Sequence, residues 1–295
     1  MKKKNKQIII GTANFGLNYG QGNLCTKLDD KEIVQILNYA QLNGIDILDT
    51  AINYGNCSKI LGDKGIKKWK VITKLPKLPN KTKNPYDWCN KQILTSIKEM
   101  NVCNLDGVLL HYPEDVAKTK NNEILKSLFD LKKEGIIGKI GISIYEKKEI
   151  DELLDFFKPE IIQCPLNIID TRLLDNNYLE NISKTGIEIH IRSIFLQGIL
   201  LNSLENLPYK FLKFSDFWLS WKDWLESKKL NPLEACIRFV NSIPFIEKII
   251  VGINSKNQLK EVIKYFEKPS ISDKPKFNLF PNENLLDPRT WDNQK

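Results

Sequence analysis

Apolar residues are distributed along the chain in two alternating patterns. Short runs such as Ile8-Ile9-Ile10, Ile45-Asp46-Ile47-Leu48 and Val108-Leu109-Leu110 are too brief for helices and read as buried strands. Between them, apolar residues recur three and four positions apart: Ile33, Ile36, Leu37 and Ala40, then Ile93, Leu94, Ile97 and Met100, then Ile124, Leu125, Leu128 and Leu131. That spacing lays a stripe along one face of a helix. In chain order the patterns predict strands over 7–13, 45–49, 71–75, 106–111, 139–143, 160–164, 187–192 and 247–251. Helices are predicted after an Asp29 or Asp30 cap, then over 58–66, 86–100, 122–134, 147–157, 173–184, 232–241 and 255–266.

Eight strand–helix alternations with mostly short connections imply parallel strands covered by helices, and closure into an α/β barrel of the (β/α)8 kind. An open doubly wound sheet is the competing fold, but no G-x-G-x-x-G follows the first strand. Two segments fall outside the repeat. Residues 202–230 carry Tyr209, Phe211, Phe214, Phe217, Trp218, Trp221 and Trp224 at near-helical spacing. They predict an extra amphipathic helix after strand seven, packed on the barrel, with a wall of the substrate pocket as the alternative. Residues 268–295, with Pro269, Pro275, Pro281 and Pro288, read as a C-terminal tail laid over the barrel toward its mouth. Residues 1–295 therefore read as one barrel domain.

Charge changes this picture little. The formal net charge is +8, yet only four basic residues are arginine (Arg172, Arg192, Arg238, Arg289) and the lysines are scattered, without the stripe expected of a nucleic-acid reader. Six cysteines without a C-x-x-C pair, and two histidines, make a zinc cage a poor reading and reduced thiols a simple one. The basic start is followed by an apolar run too short for a signal peptide, and no run approaches the ~20 residues of a membrane span. A cytoplasmic protein is expected, a monomer or small homo-oligomer, without a nucleic-acid or membrane partner.

The candidate chemistry lies at strand ends. Asp49 and Tyr54 follow the second strand, Lys74 ends the third and His111 the fourth. In a parallel barrel those ends converge on one mouth. A phenol becomes a better general acid beside an ammonium, a carboxylate holds that ammonium charged, and an imidazole can donate to a carbonyl oxygen. A tyrosine proton donor facing a carbonyl lacks only a hydride source, which implies a nicotinamide. Singly, each residue has a plainer reading: a structural ion pair, a packed tyrosine, a rim histidine. Their joint order along the strands favours a site. His190, mid-strand between Ile189 and Ile191, reads as core or helix-facing packing.

With these residues in place the chain resembles the aldo-keto reductase superfamily over essentially its full length. The matching pieces are Gly11-Thr12 with Gly16, the run Asp49-Thr50-Ala51-Ile52-Asn53-Tyr54-Gly55, Lys74, His111, Gly141-Ile142-Ser143, Gln163 with Asn167, and the stretch from Gly252 to Glu261. The resemblance implies a TIM barrel that binds NADPH, or NADH, at its mouth and reduces an aldehyde or ketone to an alcohol. By it, Tyr54 is the proton donor, Asp49 and Lys74 tune it, and His111 positions a small carbonyl substrate. By it too, Ser143 and Gln163 hold the carboxamide, Ser193 the pyrophosphate and Glu261 the adenine, with Gly11, Thr12, Gly198 and Gly252 lining the cofactor. Three positions depart from the pattern. Ile144 stands where many relatives have asparagine, and Arg192 where an aromatic residue stacks on the nicotinamide; its guanidinium can lie flat on that ring as a cofactor contact, with a phosphate or an anionic substrate as the alternatives. At the 2′-phosphate position an arginine gives way to Gln258, with Ser255 and Lys256 as substitutes. The stretch Phe195-Leu196-Gln197-Gly198 and the tail 285–289 look like bacterial members found with surface-sugar or nucleotide-sugar pathways. Asn14, Asn53, Asn167 and Arg192 at the mouth suit a sugar-derived substrate. A cofactor-sensing regulatory barrel without turnover is the second hypothesis; a hydrolase or isomerase is the third.

Overall fold

Along each strand the apolar side chains divide between two cores. Ile9, Ile47, Ile72, Leu109, Ile161 and Ile250 form one compact cluster. Their immediate neighbours, among them Ile8, Ile10, Leu48, Val71, Val108, Ile162 and Val251, belong to a larger cluster shared with the helices. Such alternation follows from the two-residue period of a strand, and in a closed sheet one face lines the barrel interior while the other meets the helices. The computed structural model describes residues 6–21, 26–117, 122–275 and 283–291. In it β1 (Gln7–Gly11), β2 (Ile47–Asp49), β3 (Lys70–Leu75), β4 (Leu105–Leu110), β5 (Ile137–Ser143), β6 (Ile161–Pro165), β7 (Glu188–Arg192) and β8 (Lys248–Gly252) close into a barrel in sequence order. Every pairing is parallel, including β1 with β8. The fold is a (β/α)8 TIM barrel.

The same period positions the site. Two residues beyond an inward apolar residue, the next side chain also points inward, one layer closer to the strands' C-terminal ends. Those residues are Gly11 after Ile9, Asp49 after Ile47, Lys74 after Ile72, His111 after Leu109, Gln163 after Ile161 and Gly252 after Ile250. The apolar layer is thus the floor on which the polar layer stands.

Helix ends follow local chemistry. Asp29 caps helix Asp30–Leu42 by accepting the Glu32 N–H at 2.7 Å, and Ser255 caps Lys256–Phe266 by accepting that of Gln258 at 3.0 Å. Each such cap contributes about 1 kcal/mol. Strand β1 stops at Gly11, short of the expected Ala13, because Ala13–Gly16 turns into a helix. The single helix expected over 173–184 is two pieces, a 3-10 segment Arg172–Asn177 and a helix Tyr178–Ser183. Asp175 is extended there, and Asn176 and Asn177 take left-handed φ values of 54° and 56°. Asparagine tolerates that region better than other non-glycine residues, which is why the break falls on this pair.

The segment after β7 forms the helix Ser215–Lys228, preceded by the 3-10 turn Tyr209–Phe214. Phe211, Trp218, Trp221 and Leu225 are buried, and Trp218 Nε1 donates to the Phe211 carbonyl at 3.0 Å. None of residues 202–230 lines the main cavity, so the segment packs on the barrel and is not a pocket wall. Part of the expected tail, 276–282 and 292–295, lies outside the described residues. The rest docks: Leu285, Leu286 and Trp291 are buried, and Trp291 meets Phe211 edge to face with ring centroids 4.9 Å apart.

Candidate active site

At the barrel mouth Asp49 and Lys74 form an ion pair, Nζ to Oδ2 2.6 Å, and the same ammonium donates to the Thr50 carbonyl at 2.9 Å. Both side chains are almost fully buried. The other Asp49 oxygen accepts from Gln163 Nε2 at 2.7 Å. Gln163 is in register with Ser143 on β5, which brings those two side chains to the same layer. Lys74 Nζ lies 5.5 Å from the centre of the Tyr54 ring, and the His111 ring meets Tyr54 edge-on at 6.4 Å. The four residues expected to act together are therefore neighbours.

The Tyr54 loop is fixed by two glycines. Gly55 has φ +58°, and a Cβ there would fall 2.8 Å from the Gly16 carbonyl oxygen. A Cβ on Gly16 would fall 2.0 Å from the Tyr54 carbonyl oxygen. Only two residues without side chains can approach so closely, so the glycine after β1 and the glycine after Tyr54 act as one joint.

Burial sets the protonation states. It pushes the Tyr54 phenol well above its ordinary value, and the Asp49 charge adds to this while Arg192 opposes it. The acidified phenol expected from the sequence is absent, because Lys74 is engaged by Asp49 and the ring is buried. The Tyr54 phenol is neutral across the physiological range. Burial also draws Lys74 below the usual ammonium range, against the pull of Asp49. Burial, with the cations Lys74 and Arg192, pushes His111 down to about 3, so its imidazole is neutral at pH 7.

A cavity of about 840 Å³, counted with its open mouth, runs from this cluster across the β7, β8 and β1 sector. Of the residues expected to bind, Gly11, Thr12, Asn14, Asp49, Tyr54, Arg192, Ser193, Gly198 and Gly252 line it. Four buried polar atoms in or beside it have no partner among the described residues: Asn14 Oδ1, His111 Nδ1, Ser143 Oγ and Gln163 Oε1. Buried polar atoms are normally satisfied, so this concentration marks a place for a polar ligand. The loop 193–198 adds strain, with φ of 60° at Ser193, 47° at Leu196 and 53° at Gln197.

Other expected residues lie elsewhere. Asn167 is buried outside the cavity lining; its Oδ1 accepts the N–H groups of Ile169 and Asp170, and its amide donates to the Ser193 carbonyl at 3.2 Å. It holds the loop that carries Ser193. Ser255, Lys256 and Glu261 do not line the cavity. Ser255 is engaged as a cap, Lys256 Nζ lies 5.7 Å from the Tyr39 ring centre, and Glu261 is exposed. Gln258 does line it, while accepting the Asn254 N–H at 2.6 Å. Ile144, at the first departure, is buried and offers its carbonyl to Arg192 Nη2 at 3.1 Å. His190 faces the barrel interior with Nε2 3.1 Å from Glu188 Oε2.

Sequence reasoning missed Tyr19, Gln197, Leu201 and Asn254 in the lining, and Tyr145, on whose ring the Arg192 guanidinium stacks at 4.1 Å. For Tyr145 a signal existed: an aromatic residue two positions past the end of β5, in the rim where site residues of such barrels gather.

The fold and the cavity define a parallel α/β barrel whose working end is its C-terminal mouth. The chain belongs to the aldo/keto reductase family, whose family model matches residues 7–275. It is 25% identical over 214 residues to the aldo-keto reductase YhdN of Bacillus subtilis, an alignment covering 67% of this chain and 61% of that protein. It is 25% identical over 199 residues to the NADH-specific methylglyoxal reductase of Escherichia coli, covering 60% of each. The chain thus spans about six tenths of the length of these curated relatives. Among solved structures it is similar to the holo form of an aldo-keto reductase from Bacillus halodurans, with a TM-score of 0.72, 18% identity, and coverage of 90% of this chain and 88% of that one. A glycerol dehydrogenase from Gluconobacter oxydans gives 0.69 at 21% identity, covering 90% and 87%.

Proposed function

We propose that this chain reduces the carbonyl group of a small aldehyde or ketone with a nicotinamide dinucleotide, Tyr54 giving the proton. The observation that carries the reading is the meeting of Asp49, Tyr54, Lys74 and His111 at the barrel mouth, where Asp49 and Tyr54 line the cavity. The cofactor passes a test of fit: a carboxamide carries one acceptor and one donor pair, and Ser143 Oγ and Gln163 Oε1 lack partners beside Asp49. Bound there, the nicotinamide supplies a hydride. Neutral Tyr54 holds the proton for the carbonyl oxygen. Neutral His111 donates one N–H to that oxygen and orients it, while Lys74, held by Asp49, stabilises the phenolate left behind. Strained loop 193–198 and the β8 end flank the cofactor's phosphates, the sector where barrels of this class bind them.

The choice between NADPH and NADH rests on the start of helix Lys256–Phe266. Glu32 Oε1 accepts the Lys256 N–H at 2.6 Å, putting a carboxylate where a 2′-phosphate would seek that helix end. With the Lys256 ammonium over Tyr39, this favours NADH over the NADPH read from the sequence. Fluorescence titration of the tryptophans with each nucleotide tests the reading. Micromolar binding, NADH at least as tight as NADPH, is expected; if neither binds, the reductase reading fails. Tyr54→Phe then tests the mechanism: turnover falls at least ~100-fold with nucleotide affinity kept. Full activity in that variant removes Tyr54 from the chemistry.

A further inference from the structure

Three of the four arginines are neutralised by carboxylates. Arg172 pairs with Asp170 at 2.9 Å, Arg238 with Glu234 at 2.7 Å, and Arg289 with Asp287 at 2.7 Å and Glu146 at 2.8 Å. Arg192 is different. It donates to the Ile144 carbonyl at 3.1 Å and the Ser193 hydroxyl at 3.3 Å, both neutral, and no carboxylate lies within ion-pair distance among the described residues. A guanidinium has five N–H donors in a flat fork, so much of its capacity is open. Yet it is held in place. Its plane rests on the Tyr145 ring at 4.1 Å, and Arg289 rests on that ring at 4.1 Å as well.

The cavity end it faces lacks counter-charge. Lys74 is balanced by Asp49, His111 is neutral, and Tyr54 is neutral. Arg192 therefore leaves one uncompensated positive charge beside Tyr54, partly out of water, an arrangement that is unfavourable until an anion arrives. We propose that Arg192 receives an anionic group, a carboxylate or phosphate, carried by the carbonyl substrate itself, so that the preferred substrates are anionic aldehydes or ketones. The proposal rests on the reductase reading above. The cofactor diphosphate is the other source of such an anion. Arg192 lines the same cavity as Tyr54 and lies near enough for its charge to act on that phenol, and this favours the substrate.

The test compares 4-carboxybenzaldehyde with its neutral counterpart, methyl 4-formylbenzoate, in the wild type, Arg192→Gln and Arg192→Lys. The ratio of kcat/KM, acid over ester, is expected to fall about 10- to 100-fold in Arg192→Gln, as for loss of a charge-assisted hydrogen bond, and less in Arg192→Lys. The NADH dissociation constant should move less than about threefold. Terephthalate, an unreactive dianion, should bind the nucleotide-free wild type and bind Arg192→Gln more weakly by calorimetry. An unchanged ratio overturns the proposal, as does equal loss on both aldehydes with matching loss of NADH affinity, which assigns the guanidinium to the cofactor. Terephthalate binding that depends on Arg192, in a protein that binds neither nucleotide, would keep the anion site while removing the reductase reading.

Discussion

Strand β7 passes through two charged clusters in one barrel. At its start Glu188 accepts from Lys139 at 2.6 Å, Lys248 at 3.0 Å and His190 at 3.1 Å. At its end Arg192 has no ionic partner among the described residues, and Ser143, Gln163, Asn14 and His111 nearby each keep an open polar atom. The first cluster is a nearly closed circuit, in which three donors hold the Glu188 carboxyl well below its usual range, the His190 hydrogen bond foremost, although His190 Nδ1 has no partner among the described residues. The second has donors and acceptors to spare. Where polar groups satisfy one another they secure the fold; where they do not, the missing partner comes from outside.

The comparison can be broken at several points. Lys74→Met should have the largest effect, since it leaves Asp49 buried without its counter-charge: about 3–5 kcal/mol of stability lost by urea denaturation, and turnover with it. A variant that melts like the wild type would show that the pair is no brace. Glu188→Gln weakens the closed cluster and should cost about 1–3 kcal/mol. Here kcat/KM is the deciding quantity, because a clear drop would mean the two clusters are coupled. Gly55→Ala forces a side chain into a positive φ and against Gly16, so we expect about 1–2 kcal/mol and a fall in kcat; unchanged kinetics would separate that joint from Tyr54. A further test concerns acid. His111 has its pKa lowered in the fold, so the unfolded chain binds its proton first. Stability from this group is present above about pH 6.5 and declines as the pH falls toward about 3. His111→Gln should flatten that slope by up to one proton in denaturation at stepped pH, and an identical slope would contradict the burial argument.

Much of this was legible in the chain. The strand ends assign Asp49, Lys74 and His111 to one mouth from the sequence alone, whereas Gln163 enters only through the family resemblance. The Asp49 run carried its own glycine signal. What could not be read were properties that depend on residues distant in sequence. That Arg192 lacks a carboxylate depends on which acids approach from other strands, and the burial that keeps Tyr54 from acidifying is a sum over many neighbours. The break at Asn176-Asn177 was present as a left-handed pair but lay under a helical apolar spacing. Lys256 and Glu261 lie off the cavity lining for a similar reason: the pattern predicts their helix but not its rotation relative to the cavity.

The contact between Tyr145 and Arg289 has a consequence in time. Synthesis delivers all eight strands before residue 289 emerges, and β8 must close on β1 across most of the chain. Pairings of such long sequence separation form late, after the local strand–helix units. The nascent barrel can therefore assemble its ion pairs and its apolar floor while Tyr145 is still covered on no side by Arg289, and the platform under Arg192 becomes rigid only once residue 289 has arrived. A mouth finished in this order matures after its scaffold, and folding yield and the state of the mouth become separable quantities.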